Sequence, residues 1–198
     1  MSWFFCFFAG QWLKHEGDIP ESKSGPYLYL FNHESMFDQF MIGAYLKHYT
    51  TALNAKEEMR YPIWGALARK YGIVGIEREN LKKAIKSLEE VESGIKNNIS
   101  FLISPEGTRT RDGSIGEFKK GPFHVAKNTG VKIIPIGLIG AFRAKKKTDW
   151  RLSPGYLTVK FGTPITKSHY ANLTVDELKL YVREKIIGLT IKNKGKKQ

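Results

Sequence analysis

The stretch Tyr27-Leu28-Tyr29-Leu30-Phe31-Asn32-His33-Glu34-Ser35-Met36-Phe37-Asp38 changes character in its middle. Its first five residues are a continuous apolar run of strand length, the pattern of a strand buried on both faces of a sheet. From Asn32 the run turns polar, so the chain leaves the sheet at a strand's carboxyl end, where open α/β sheets gather their ligands. His33 and Asp38 stand five positions apart. On one helix that spacing would separate the two side chains by about 140° around the axis. They meet only if His33 sits on the loop and Asp38 near the start of the following helix. There Asp38 can accept a hydrogen bond from one ring nitrogen, fix the tautomer and stabilise the charged ring, leaving the other nitrogen free to take a proton.

The pair brings no nucleophile of the usual kind. There is no Gly-x-Ser-x-Gly elbow, the one cysteine is Cys6, and Ser35 has no glycine-rich turn to present it. A His/Asp pair without its own serine can instead deprotonate a hydroxyl that belongs to the substrate. Taken alone, a His-x-x-x-x-Asp spacing describes no more than a loop histidine bonded to a nearby carboxylate; its companions along the chain decide.

At 198 residues, 41% hydrophobic and 13% aromatic, the chain has the material for one well-packed core. Thirty-two Lys and Arg against 19 Asp and Glu leave a formal charge of +13, which calls for an anionic partner: nucleic acid, an acidic lipid surface or a phosphorylated substrate. A single cysteine excludes an internal disulfide framework, and five scattered histidines show no zinc-ligand spacing, so no metal is expected. Trp3 to Ala9 is almost wholly apolar but far short of the roughly 20 residues that cross a bilayer, and it lacks the basic start and cleavage site of a signal peptide. Two placements fit its composition, a helix in a membrane interface, where Trp3, the phenylalanines and Trp12 sit well, and a helix folded onto the domain. The basic balance favours the first.

Glu16 to Pro26 reads as a connecting loop. Asp38 to about Tyr49 reads as a buried helix, Thr51 to Asn54 as a weak strand, Ile63 to Tyr71 as a helix opening after Pro62, and Ile73 to Ile76 as a short strand. Asn80 caps the clearest helix, with Leu81, Ala84, Ile85, Leu88, Val91 and Ile95 on one face. Ile99 to Ile103 is a central-looking strand, Phe123 to Lys127 a short helix, and Val131 to Leu138 an apolar strand that Pro135 should push to an edge or into a bulge. Tyr156 to Phe161 is a further strand, and Thr174 to Glu177 a capping box opening a helix with Val175, Leu178, Val182, Ile186 and Leu189 inward. These alternating elements predict an α/β fold: a single domain over residues 16–190, with a mostly parallel or mixed twisted sheet covered by helices on both faces. Residues 1–15 form an apolar segment ahead of it and residues 191–198 a basic tail.

Strand ends at Asn32, Glu77 and Ser104 would open on one sheet edge. That convergence places Arg78 and Arg109 beside His33 as two guanidinium forks for a phosphate or carboxylate, with Gly107 and Thr108 offering backbone N–H groups nearby. Glu106 would orient its own loop or pair with an arginine. Together these stretches resemble the 1-acylglycerol-3-phosphate acyltransferase family of glycerolipid acyltransferases. Asn32-His33-x-Ser35-x-x-Asp38 is similar to its first block, Gly72-Ile73-Val74-Gly75-Ile76-Glu77-Arg78 to its second, Pro105-Glu106-Gly107-Thr108-Arg109-Thr110 to its third and Ile134-Pro135-Ile136 to its fourth, in the family's order. Phe118-Lys119-Lys120-Gly121 and Lys56-Glu57-Glu58 match lesser features. Two positions depart from the pattern. Gly75 stands where the second block carries phenylalanine and Ser104 where a bulky apolar residue precedes Pro105, which bears on the acceptor or acyl pocket. The segment ahead of the first block is also shorter than in many members.

The resemblance implies a glycerolipid acyltransferase-like fold and acyl transfer from a thioester, acyl-CoA or acyl-ACP as co-substrate with no further cofactor, to the free hydroxyl of lysophosphatidic acid in phospholipid synthesis. In that reading His33 is the base, Asp38 its orienting group, and Arg78 and Arg109 hold the acceptor phosphate. Lys56 and the Gly107 N–H are the candidates for the oxyanion. It also implies a peripheral or monotopic place on the cytoplasmic face of an anionic membrane. The alternatives are another lysolipid acceptor and, outside enzymology, a basic nucleic-acid-binding module. The latter rests on charge alone, with no helix-turn-helix, zinc-finger or RNA-binding signature, so no nucleic-acid partner is expected.

Overall fold

The computed structural model describes residues 2–191; the basic tail from Lys192 lies outside the described residues. In chain order the elements are α1 (Ser2–Phe8), β1 (Gln11–Glu16), β2 (Tyr27–Phe31), α2 (Asp38–Gly43), β3 (Thr50–Ala55), α3 (Pro62–Lys70), β4 (Val74–Ile76), α4 (Leu81–Lys96), β5 (Ser100–Ile103), α5 (Gly121–Thr129), β6 (Lys132–Ile139), α6 (Ala141–Ala144), β7 (Gly155–Phe161), α7 (Lys167–Tyr170) and α8 (Val175–Thr190). A short 3-10 helix, Lys56–Arg60, joins β3 to α3.

The seven strands form one mixed sheet in the order β1-β7-β6-β2-β5-β3-β4. Five of them, β2 to β6, are parallel, so their carboxyl ends share one edge, as expected for Asn32, Glu77 and Ser104. β7 runs antiparallel to β6, and β1 is parallel to β7. Every residue of β2 is buried, and the run divides by parity: Tyr27, Tyr29 and Phe31 enter the core beneath α1 and α2, Leu28 and Leu30 the core beneath α4, α5 and α8. Each such side chain taken from water contributes about 1.5–3 kcal/mol.

Several expectations are corrected. β1 belongs to the sheet, and α1 packs on α2 with Cys6 in the core, so residues 1–15 are not a segment apart from the domain. α2 ends at Gly43 instead of running to Tyr49, and the Trp3 indole N–H binds the Ala44 carbonyl just past its end at 3.1 Å. Pro135 is not at an edge, since β6 lies between β2 and β7. The bulge alternative holds, because three steps from Ile133 to Ile136 match four from Phe161 to Ile165, and the Gly162 N–H meets the Pro135 carbonyl there. On α4, Leu81 and Ile85 are exposed, while Val91 and Ile95 are buried. Asn80 caps α4 through the Lys83 N–H, and the Thr174–Glu177 capping box opens α8 with both of its reciprocal bonds.

Candidate active site

His33 sits two residues beyond the last ladder pairing of β2, at Phe31, and its loop is tied down from three sides. The Asn32 side chain, buried, extends the β2–β6 ladder: its Nδ2 donates to the Leu138 carbonyl at 3.0 Å and its Oδ1 accepts from the Leu138 N–H at 2.7 Å. The Glu106 carboxylate, 73 residues further on, accepts from the His33 N–H at 2.7 Å and from the Gly116 N–H at 2.8 Å. The Thr110 N–H donates to the His33 carbonyl at 2.8 Å. Glu106 therefore fixes the histidine loop and not an arginine.

Asp38 is the first residue of α2 and wholly buried. Its Oδ2 lies 2.7 Å from His33 Nδ1 and 2.8 Å from the Glu34 N–H, and the Ser35 N–H reaches both of its oxygens at 3.0 Å. Burial pushes this carboxyl up; the His33 hydrogen bond and charge and the two N–H donors pull it back down. With donors on every side, the ionised carboxylate is the form whose lone pairs are satisfied. Nδ1 thus carries its proton toward Asp38, and Nε2 makes no hydrogen bond to a described residue.

The His33 ring lines a cavity of about 440 Å³ with Ser104, Arg78 and Arg109 on its wall. Arg78 Nε lies 3.9 Å from where a Cβ on Gly107 would stand, so the second and third blocks meet as expected. Neither Arg78 nor Arg109 forms an ion pair with a described residue. The remaining candidates are engaged elsewhere. Lys56 does not line the cavity; its ammonium is 3.1 Å from Glu77, which Lys83 also holds at 2.8 Å. The Gly107 N–H closes a turn on the Ser104 carbonyl at 3.2 Å, and exposed Thr108 accepts from Lys147 at 2.9 Å. Both candidates for the oxyanion, Lys56 and the Gly107 N–H, thus hold partners within the fold.

Residues that the sequence reading passed over join the site. Glu34 accepts from Asn32 and from the Phe142 N–H at 2.9 Å, and burial raises its pKa to about 7. Ser104 Oγ is buried with no hydrogen-bond partner among the described residues. Gln39 donates to Asn54 at 2.5 Å and Asn54 to Glu58 at 3.4 Å, a polar chain along the same cavity wall. At Gly75 the space where a side chain would begin is taken from another element: a Cβ there would come 2.6 Å from Met59 Sδ. A second cavity of about 1170 Å³, mostly apolar, lies between α1–α2 and α3 and shares Phe5, Gln39, Phe40 and Trp64 with the first.

A histidine with one nitrogen held by a buried carboxylate, on the wall of a cavity that two arginines also line, can act as a general base toward an alcohol. The acyltransferase family model matches residues 13–139, and the chain belongs to that family. It is 37% identical over 139 residues to a 1-acyl-sn-glycerol-3-phosphate acyltransferase of Cocos nucifera, covering 70% of this chain and 45% of that one. It is 32% identical over 160 residues to one of Escherichia coli K12, covering 80% and 64%. The crystal structure of the 1-acyl-sn-glycerophosphate (LPA) acyltransferase PlsC from Thermotoga maritima superposes with a TM-score of 0.82 at 25% identity, over 95% of this chain and 75% of the other. The chain spans about half the length of the first plant relatives it matches.

Proposed function

We propose that the chain moves a fatty acyl group from an acyl thioester to the free hydroxyl of 1-acylglycerol-3-phosphate, giving phosphatidic acid. The observation that carries this reading is the 2.7 Å His33–Asp38 bond at the wall of a cavity that also holds Arg78 and Arg109. His33 Nε2 takes the hydroxyl proton as that oxygen attacks the thioester carbonyl carbon, and Asp38 stabilises the imidazolium. The tetrahedral intermediate then collapses, the C–S bond breaks, and the sulfur leaves with the proton from His33. General-base assistance of this kind is worth about 10²–10⁴ in rate. Arg78 and Arg109 grip the acceptor phosphate, so binding energy is used to align the hydroxyl.

The apolar groove that meets the catalytic cavity takes the acyl chain. As drawn, the step uses the acyl donor as co-substrate and calls on no cofactor. Among the described residues no helix is long and apolar enough to cross a membrane. α1, with exposed Phe4, Phe7 and Phe8, instead suits a peripheral or monotopic position on an anionic leaflet. The cytoplasmic leaflet carries that charge.

The test offers purified protein lysophosphatidate and a panel of other lysolipids, each with acyl-CoA and with acyl-ACP. Transfer to lysophosphatidate is expected, with kcat lowered by about 10²-fold or more in His33→Ala. Preference for another lysolipid would replace the acceptor and keep the chemistry; undiminished turnover in His33→Ala would end both.

A further inference from the structure

α3 is built inside out. The residues it turns to the protein are small, Gly65 and Ala68, and a Cβ on Gly65 would run into the Met59 carbonyl, so α3 sits hard against the turn before it. Two of its large apolar residues face away, Ile63 at 80% exposed and Leu67 at 57%, with exposed Tyr61 just ahead of the helix, while half-buried Trp64 turns to the groove. Ile63 and Leu67 stand one helical turn apart and share a face. Exposed Lys70 stands two turns after Ile63 on the same side, exposed Arg60 just ahead of the helix, and Arg69 turns to the Met59 carbonyl at 3.2 Å; none of the three forms an ion pair with a described residue.

α1 has the same construction across the groove, with Cys6 buried and Phe4, Phe7 and Phe8 outward. The two helices are opposite walls of the 1170 Å³ groove, Phe4 and Phe5 on one side, Trp64 and Leu67 on the other. Whatever covers this surface must meet two separated apolar helices at once and accept a rim of cations. A second copy of a chain carrying +13 brings the wrong charge. A planar anionic bilayer meets both requirements.

We propose that α3 is a second membrane contact opposite α1. The chain stands on the leaflet on two apolar supports, and the groove between them opens sideways into the acyl-chain layer. The contact itself does not depend on the acyl-transfer reading; what enters the groove rests on that reading.

The test measures binding of the full chain to vesicles of equimolar phosphatidylcholine and phosphatidylglycerol by flotation. Ile63→Gln/Leu67→Gln is expected to reduce the bound fraction's partition constant at least about tenfold. As a second measurement that does not depend on that variant's folding, Ile63→Cys carries an environment-sensitive dye, Cys6 being buried. Its emission is expected to move to the blue on adding vesicles. An unchanged partition constant overturns the proposal, as does a dye that does not shift in protein that floats. A self-association lost in the double variant with vesicle binding intact would assign the surface to a second copy and also overturn it. Ile63 lines neither cavity, and Ile63→Gln should keep acyl transfer in neutral detergent micelles. Absence of that transfer in the unsubstituted chain counts against the proposed function and leaves the membrane contact standing.

Discussion

Glu34, Asp38 and Glu106 put three carboxyl groups around the His33 loop, and burial pushes all three up from their usual range. Each is answered by two backbone N–H donors, and Asp38 also by the His33 ring; Glu34, held by the Phe142 and Ala141 N–H groups but pushed by two acidic neighbours, is raised to about 7. A carboxyl raised in the fold keeps its proton where the unfolded chain has lost it. Its contribution to stability is complete below the unfolded value of about 4.3 and is lost as pH rises through the folded value. Glu34→Gln has no such proton to lose. Between about pH 4.5 and pH 7.5 the urea-unfolding free energy of the parent should fall by about 3 kcal/mol more than that of the variant; parallel curves would mean that the fold leaves the Glu34 carboxyl unshifted. Ser104 makes a different prediction. A buried hydroxyl without a partner costs the fold about 1–3 kcal/mol, so Ser104→Ala should melt no lower than the parent. If that hydroxyl donates to the developing oxyanion in the cavity it lines, kcat falls about 10- to 100-fold with KM little changed. A lower melting temperature with full turnover would make Ser104 a packing residue only. The His33–Asp38 bond was legible because both groups lie within one local turn. The Glu106 bond to His33 and the Glu34 bond to Phe142 were not, because each joins residues more than 70 positions apart.

The elements divide on the same line between local and distant causes. β2, α4 and α8 were readable because their signals are in their own residues: an unbroken apolar run, the Asn80 cap, the Thr174–Glu177 box. β1 was missed because Gln-Trp-Leu-Lys-His-Glu has little strand character of its own and is extended by pairing with β7 across some 140 residues. α6 and α7 have four residues each, too few for a helical period to show. The exposed Leu81 and Ile85 belong to the turns of α4 that start beside β4, the last strand of the sheet, where no further strand exists to cover them. The β6–α8 contact is the tightest test of element packing. A Cβ on Gly137 would stand 2.6 Å from Leu189 Cβ, an atom that cannot rotate out of the way. Gly137→Ala must move α8 off the sheet and should cost about 1–3 kcal/mol in urea unfolding. No loss of stability would show that α8 slides freely over β6.

At the scale of the whole molecule, the five parallel strands send their ends to one edge; that edge carries His33 and both arginines, and the cavity there shares Phe5, Gln39, Phe40 and Trp64 with the groove between α1 and α3. The strand order was not legible, because it depends on which apolar runs find each other, but the shared edge was, because alternating strands and helices make a parallel sheet. A formal charge of +13 then works together with the exposed apolar helices. Each Lys or Arg close to an anionic leaflet contributes about 1 kcal/mol, and that attraction reaches only about 10 Å at 0.1 M salt and about 3 Å at 1 M. Apolar burial is not screened in this way. Co-sedimentation with vesicles rich in phosphatidylglycerol should therefore weaken at least about tenfold between 0.1 and 1 M salt, yet level off at the binding that the helices supply alone. Binding to phosphatidylcholine vesicles should sit at that lower level at every salt concentration. Binding to anionic vesicles that ignores ionic strength would leave the excess cations without a part in membrane attachment, and α1 and α3 would then have to account for all of it.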